Sequence, residues 1–317
     1  MHPLITVKNL TKHFPYKKKA LLQAVNHVSL EIHTGETLGL VGESGSGKST
    51  LGKLLLRLHE PTTGSVTFSS KNIFEFPPAE LKAWRQTAQM IFQDPYASLN
   101  PRMTAEAIIS EPFHIHNLPI TETRLEQLFS QVGLNPEYRS RFPHEFSAGQ
   151  RQRIAIARAL ALNPKFLVCD EAISSLDVSV QAQIINLLKD LQKNLGLTYL
   201  FISHDLRMVK YISHRIAVMY LGHIVEIAPA SELYQNPLHP YTQALLSAIP
   251  VPDPAIEKTR TRIMLQGEIP RPLTPPKGCK FCTRCPQVHD LCHQVNPPLQ
   301  EISTGHFVAC HLYRGSS

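Results

Sequence analysis

Apolar and polar residues alternate along Leu4-Ile5-Thr6-Val7, again at Ala24-Val25, and again along Val28-Ser29-Leu30-Glu31-Ile32. A period of two predicts half-buried β-strands. Thr37-Leu38-Gly39-Leu40-Val41 is different: it is nearly all apolar and reads as a strand buried on both faces, running straight into a glycine-rich segment. Beyond that segment Leu51, Leu54, Leu55 and Leu58 fall on one face of a helix, and Pro61-Thr62-Thr63-Gly64 is a turn before the strand Ser65-Val66-Thr67-Phe68. From about 95 to 160 the periodicity becomes mostly helical, which predicts a helical insertion. Then the βαβ pattern returns, with Phe166-Leu167-Val168-Cys169 as a short buried strand, Val180 to Leu195 as a helix and Thr198-Tyr199-Leu200-Phe201-Ile202 as another buried strand. Strands alternating with helices predict an α/β fold whose sheet is mostly parallel and covered by helices. After about residue 228 prolines crowd in, at 237, 240, 250, 252, 254, 270, 272, 275 and 276, which reads as a linker wrapping toward a small cysteine-rich tail. The expected division is 1–228 and 229–317, with no internal repeat.

Composition changes this picture little. With 317 residues, 43% of them apolar, the chain can bury a sizeable core and is not globally disordered. Lys and Arg outnumber Asp and Glu by 32 to 25, for a net charge of +7. Such an excess suits a mildly basic soluble surface, nucleic acid or the anionic face of a membrane. It is spread out, and only Lys17, Lys18 and Lys19 form a tight run, so charge alone excludes none of these. No stretch approaches the roughly 18 apolar residues of a membrane-spanning helix, and Met1 to Phe14 has no signal-peptide apolar core. The expectation is a chain that stays in the cytosol. Cys169 stands alone, whereas five cysteines lie between 279 and 310. Cytosolic redox conditions disfavour structural disulfides, so this cluster reads first as metal or iron–sulfur ligation.

The glycine-rich segment Gly42-Glu43-Ser44-Gly45-Ser46-Gly47-Lys48-Ser49-Thr50 fits the phosphate-loop pattern. Glycines let backbone N–H groups converge on phosphate oxygens without a Cβ in the way, and the helix that follows turns its positive end toward the anion. Lys48 is placed to reach the β- and γ-phosphates, and the Ser49 hydroxyl to hold Mg²⁺. The plain alternative, a strand-to-helix turn that binds nothing, loses weight because the motif has its required strand before and helix after.

Asp170-Glu171 closes a buried strand. Neighbours at a strand end point to opposite sides, so Asp170 can hold Mg²⁺ through water while Glu171 acts as general base on the attacking water. Gln93, after the strand Met90-Ile91-Phe92, can sense Mg²⁺ and that water, and His204, after Leu200-Phe201-Ile202-Ser203, can contact the γ-phosphate. Taken singly, a surface-turn glutamine and a helix-start histidine beside two good caps, Ser203 and Asp205, are the better readings.

Phe146-Ser147-Ala148-Gly149-Gln150 opens the helix Arg151 to Leu160, and with the loop and the carboxylates it closely resembles the signature motif of ATP-binding cassette (ABC) ATPases. The order also matches: phosphate loop, glutamine loop, signature, Asp-Glu pair, Ser174-Ser175-Leu176-Asp177, then His204. The resemblance implies the fold of that family, a mostly parallel sheet core with an antiparallel β subdomain and a helical subdomain. It implies a head-to-tail dimer in which ATP lies between the loop of one chain and the signature of the other, with Ser147 and the Gly149 N–H gripping the partner's γ-phosphate and Asp177 on the seam. Gly42, Ser44, Gly45, Gly47, Lys48, Ser49 and Thr50 would bind nucleotide, Gln93 and Asp170 would join Ser49 at Mg²⁺, and Phe14 would stack on adenine, although Phe14 equally suits a core role and Tyr16 is close by. Ala148 stands where the family usually has Gly; a methyl tolerates helical geometry there, and activity is expected to survive.

Gln93-Asp94-Pro95-Tyr96-Ala97-Ser98-Leu99-Asn100-Pro101-Arg102-Met103, Leu176-Asp177-Val178-Ser179-Val180-Gln181-Ala182-Gln183 and Asn236-Pro237-Leu238-His239-Pro240-Tyr241-Thr242 are similar to segments of oligopeptide and dipeptide importer ATPases. That resemblance implies the second ATPase of a heterodimer, two membrane permeases each inserting a helix beside the glutamine loop, and an extracytoplasmic peptide-binding protein, all at the cytoplasmic face of the cell membrane and without nucleic acid. Nickel and glutathione importers use similar ATPases. Soluble ABC ATPases acting on ribosomes or DNA are disfavoured by the single cassette and short insertion, and a switch without turnover by intact Glu171 and His204.

In the tail, Cys279, Cys282 and Cys285 have ferredoxin-like spacing, with Pro286 following. The importer resemblance instead implies Cys279, Cys285, Cys292 and Cys310 as ligands of a [4Fe–4S] cluster, with Cys282 an extra thiol. Zn²⁺ on these thiolates, or with His289, His293, His306 or His311, is the alternative, and free thiols a third.

Overall fold

The structure, a computed structural model, describes residues 2–17, 20–250, 262–268, 270 and 273–313. Lys18, Lys19 and the prolines at 252, 254 and 272 lie outside the described residues. The alternating N-terminal stretches form two long strands, β1 (Pro3–Tyr16) and β2 (Ala20–His33), paired antiparallel. The nearly all-apolar run is β3 (Thr37–Val41), buried along its whole length, and it delivers the chain to helix α1 (Lys48–Leu55). Strands β4 (Thr63–Phe68) and β5 (Lys71–Asn72) complete a four-stranded antiparallel sheet in the order β2-β1-β4-β5. Helix α2 (Pro78–Thr87) then leads to β6 (Ala88–Ile91).

The helical insertion comprises α3 (Pro95–Ser98), α4 (Ala105–His116), α5 (Glu122–Gln131) and α6 (Ala148–Leu160). The βαβ pattern resumes with β7 (Phe166–Asp170), α7 (Val178–Leu195), β8 (Thr198–Ile202) and α8 (Leu206–Ile212). The expected start of α7 moves back two residues to Val178 because Asp177 caps it, its Oδ1 accepting from the Val180 N–H at 3.0 Å.

Strands β9 (Arg215–Tyr220) and β10 (His223–Pro229) form a hairpin, followed by α9 (Ala230–Gln235) and α10 (Pro240–Ser247). The prolines did not abolish helix here: Pro240 occupies the first turn of α10, where its missing N–H has no intrahelical partner to lose. The tail contains α11 (Asp290–Gln294), β11 (Gln300–Ser303) and β12 (His306–Val308). Strand β12 pairs with β10, Glu226 opposite Val308, so the main sheet runs β11-β12-β10-β9-β3-β8-β7-β6 and the tail is stitched across residue 228 into the sheet.

Strands β6, β7, β8, β3 and β9 are all parallel neighbours. Alternate residues serve two cores. Leu38, Leu40, Val168, Leu200 and Ile202 pack with Leu51, Leu54 and the antiparallel sheet, whereas Leu167, Cys169, Tyr199 and Phe201 pack with Phe129, Ile154, Ile184 and Leu188 from the helices. Parallel pairing has a direct consequence for chemistry. Ile91 lies opposite Cys169, Asp170 opposite Ile202 and Leu40 opposite Ile202, so the residues leaving β6, β7, β8 and β3 emerge at one edge of the sheet.

Candidate nucleotide-binding and hydrolysis site

That edge carries a cavity of about 370 Å³ lined by Phe14, Ser44, Gly45, Gly47, Lys48, Ser49, Thr50, Gln93 and Glu171, together with Leu22 and Ala24. The loop's backbone explains its glycines. Gly47 has φ +104°, and a Cβ there would meet the Ala24 carbonyl oxygen of β2 at 2.0 Å. A Cβ on Gly42, at φ +150°, would meet the Met219 carbonyl oxygen of β9 at 2.1 Å. Only glycine allows this approach of three backbone segments. The Lys48 ammonium bends back into the loop, donating to the Gly42 and Glu43 carbonyls at 2.8 and 3.0 Å. Burial lowers its pKa, opposed by the charges of Glu171, Asp170 and Glu43.

The carboxylates of Asp170, which ends β7, and of Glu171, which follows it, make different contacts. Ser49 Oγ donates to Asp170 Oδ1 at 2.7 Å, placing a hydroxyl and a carboxylate together. Hard oxygen donors of this kind suit Mg²⁺. Asp170 is buried, which raises its pKa, while the Ser49 hydrogen bond and the nearby lysines lower it. Glu171 turns the other way. Its φ of +49° is left-handed, a conformation that costs a non-glycine residue energy. Its N–H is tied to the Ile202 carbonyl at 3.0 Å, and its Oε2 accepts from Gln93 Nε2 at 2.9 Å and lies 3.5 Å from His204 Nδ1. Gln93, Glu171 and His204, separated by 78 and 33 positions in sequence, thus meet around one carboxylate oxygen.

Phe14 lines the same cavity, with the His59 ring edge-on at 5.4 Å and Lys12 Nζ 4.8 Å from its centroid. Ser147 and Gly149 are elsewhere, at the start of α6, and line none of the cavities described. Ser147 Oγ accepts from the Gln150 N–H, and the Gln150 side chain accepts from the Ser147 N–H at 3.0 Å, forming a capping box. A Cβ on Gly149 would meet Val180 Cγ1 at 2.6 Å, so that glycine lets α6 approach α7. Ala148 is exposed in the first helical turn, and its methyl meets no such obstacle.

The tail cysteines come together, but not as a ligand set. Among the described residues no group of three or more His, Cys, Asp or Glu side chains is placed to hold a metal ion, so the expected set Cys279, Cys285, Cys292 and Cys310 does not fit a [4Fe–4S] cluster or zinc as arranged here. Burial pushes the Cys279 thiol up to about 12 and Cys310 to about 11, with the neighbouring Cys292 adding to both. Two of the histidines considered as ligands are engaged otherwise: His306 Nε2 pairs with buried Glu226 at 2.8 Å, and His311 Nε2 with the Val295 carbonyl at 2.8 Å.

No helix among the described residues is long and apolar enough to cross a membrane. Residues 25–174 match the family model for ABC transporters, and residues 225–292 that for the C-terminal region of oligopeptide/dipeptide transporters. YkfD of Bacillus subtilis strain 168, a putative oligopeptide transport ATP-binding protein, is 59% identical, with 99% of this chain and 97% of that one covered. AppF of the same organism, an oligopeptide transport ATP-binding protein, is 50% identical over 98% of this chain and 97% of its own. Among solved structures, the dimeric post-hydrolysis ATP-binding cassette MJ0796 with ADP and Pi is 28% identical with a TM-score of 0.65, covering 71% of this chain and 98% of that one. Loop, carboxylate pair and both matched regions agree, and the chain belongs to the ATP-hydrolysing, ATP-binding subunits of oligopeptide/dipeptide ABC transporters.

Proposed function

We propose that the chain hydrolyses ATP at the Lys48 loop to drive peptide import through membrane permeases, as the second ATPase of a heterodimer. The observation that carries the coupling is the position of Gln93. It donates to Glu171 in the nucleotide cavity and also lines a second cavity of about 690 Å³, between β6 and α4, where Phe92, Pro112 and Ile115 offer apolar surface and Arg158 and Glu111 offer charge. A permease helix seated in this groove would press on the residue that touches the catalytic carboxylate.

In this reading Lys48 and the loop N–H groups bind the β- and γ-phosphates, Phe14 stacks on the base, and Ser49 and Asp170 hold Mg²⁺, with Gln93 beside them. When bound, Mg²⁺ neutralises developing charge on the phosphates. Glu171 accepts the proton of the attacking water, oriented by Gln93, while His204 contacts the γ-phosphate. Ser147 and Gly149 complete the site of the partner ATPase, and the chain sits peripherally at the cytoplasmic face of the membrane. An extracytoplasmic binding protein would deliver the peptide. A cluster on Cys279, Cys285, Cys292 and Cys310 rests on the sequence resemblance alone; iron and sulfide in anaerobically purified protein would support it, and zinc alone would remove it.

The test is uptake of defined peptides by cells lacking the chain, complemented with wild type or with Glu171→Gln. Wild type should restore uptake and the variant should not. Unimpaired peptide uptake in the deletion strain, with nickel or glutathione uptake lost, would replace peptide as the cargo.

A further inference from the structure

The tail reaches the phosphate loop. Phe281, almost fully buried, inserts between Tyr220 at the end of β9, Tyr241 in α10 and His239, with ring centroids at 5.3, 5.4 and 5.7 Å. Tyr220 and Tyr241 are themselves 4.6 Å apart. Aromatic burial of this kind is the main attachment a short, coil-rich segment has available. Three residues after Phe281, Arg284 projects toward the loop with only 9% of its side chain exposed. Its guanidinium forks onto Glu43, the second residue of the phosphate loop. Nη1 donates to Oε2 at 2.8 Å and to Oε1 at 3.1 Å, and Nη2 to Oε1 at 3.1 Å. Nη1 also lies 3.4 Å from Tyr220 Oη. The Glu43 N–H is held from the same side, donating to Tyr241 Oη at 2.8 Å. The Glu43 carbonyl is one of the two that receive Lys48 Nζ. One loop residue is therefore fixed by side chain and N–H to the C-terminal region, and by its carbonyl to the lysine that meets phosphate.

We infer that Arg284 is a positioning residue for the nucleotide site, acting through Glu43 to hold the phosphate loop in its ATP-binding shape. A bidentate arginine–carboxylate pair fixes direction as well as distance, and this one is sheltered on the arginine side. Without it, the backbone N–H groups of the loop lose the anchor that keeps them convergent. The effect falls on ATP affinity, not on the chemistry around Glu171, which Arg284 does not touch. The inference rests on the Lys48 loop being the ATP site; wild-type chain that bound no ATP would remove that reading instead, a distinguishable failure.

The experiment measures the dissociation constant of a fluorescent ATP analogue for the full chain, and KM and kcat for ATP in the membrane complex, for Arg284→Ala, Arg284→Lys, Glu43→Gln and the double variant Arg284→Ala/Glu43→Gln. Arg284→Ala and Glu43→Gln should each weaken ATP binding about tenfold, the scale of a lost charged hydrogen-bond pair. KM should rise in step, with kcat at saturating ATP within about twofold of wild type. Arg284→Lys, which keeps charge but loses the fork, should recover part of the affinity, and the double variant should be no weaker than either single. Unchanged affinity in the singles, or losses that add in the double, would overturn the inference. Should Arg284→Ala fail to fold, Glu43→Gln decides alone: it leaves the aromatic attachment of the tail intact.

Discussion

The phosphate loop and the start of helix α6 are both glycine-containing helix N-termini, yet the fold treats them differently. Around Lys48 the chain supplies a surrounding: Asp170 on Ser49, Gln93 and His204 on Glu171, Phe14 across the cavity. Around Ser147 it supplies only a cap. Ser147 and Ala148 are exposed, and the serine hydroxyl is spent on Gln150. A helix terminus that satisfies itself and faces solvent is a finished structural element that contacts no other functional side chain described above. The difference teaches that the first terminus is preorganised by its own sheet, whereas under the proposed function the second would meet a ligand only when another chain brought one. On the proposed function the two ends should respond to mutation in different assays, one in the isolated chain and one in the assembly.

The sharpest way to break the comparison is Glu171→Gln. Loss of the proposed general base should lower phosphate release by roughly 10²–10⁴-fold while ATP still binds. A complex that retained rapid turnover would show that the Gln93–Glu171–His204 meeting point is not the hydrolytic centre. Next in size, Lys48→Ala removes the ammonium that now rests on Gly42 and Glu43. ATP affinity of the isolated chain should fall by about tenfold or more, as expected for lost charged hydrogen bonds, read by equilibrium titration. Unaltered affinity would move nucleotide away from this loop.

Ser147→Ala probes the other end. It removes the cap and should lower stability by about 1 kcal/mol in urea denaturation. ATP binding by the isolated chain should stay within about twofold, whereas turnover of the assembled transporter should drop. If the isolated chain itself lost ATP affinity, the separation of the two ends would be wrong. The smallest effect belongs to Ala148→Gly. The methyl is exposed and meets no obstacle, and glycine costs a helix about 1 kcal/mol relative to alanine. Activity of the complex should change by less than about threefold; inactive wild type revived by this substitution would mean that the methyl blocks the partner's phosphate.

The arrangement around Lys48 was legible in the linear chain because each element carries its own local cause. A buried strand must precede the loop, glycines must line it, and carboxylates must follow a second buried strand; period and composition reveal all three. Gln93 and His204 were weaker as single residues, since a glutamine in a turn and a histidine at a helix start are ordinary. Only the parallel pairing of β6, β7 and β8 sets them against Glu171. The tail shows the opposite balance. Its cysteines draw attention in sequence, but among the described residues they form no metal-holding group, and two of the nearby histidines are occupied by Glu226 and a backbone carbonyl.

What the residues alone determined was the α/β class, the phosphate loop, the carboxylate pair and the capped signature helix, because each depends on neighbours within a few positions. What only the tertiary structure decided was the reach of the C-terminal segment. Strand β12 joining β10, and Arg284 gripping Glu43 across 241 positions, depend on how aromatic side chains from β9, α10 and the tail close on one another. No local pattern encodes such a contact, since an arginine before a cysteine and a glutamate in a loop are each compatible with solvent until packing brings them together.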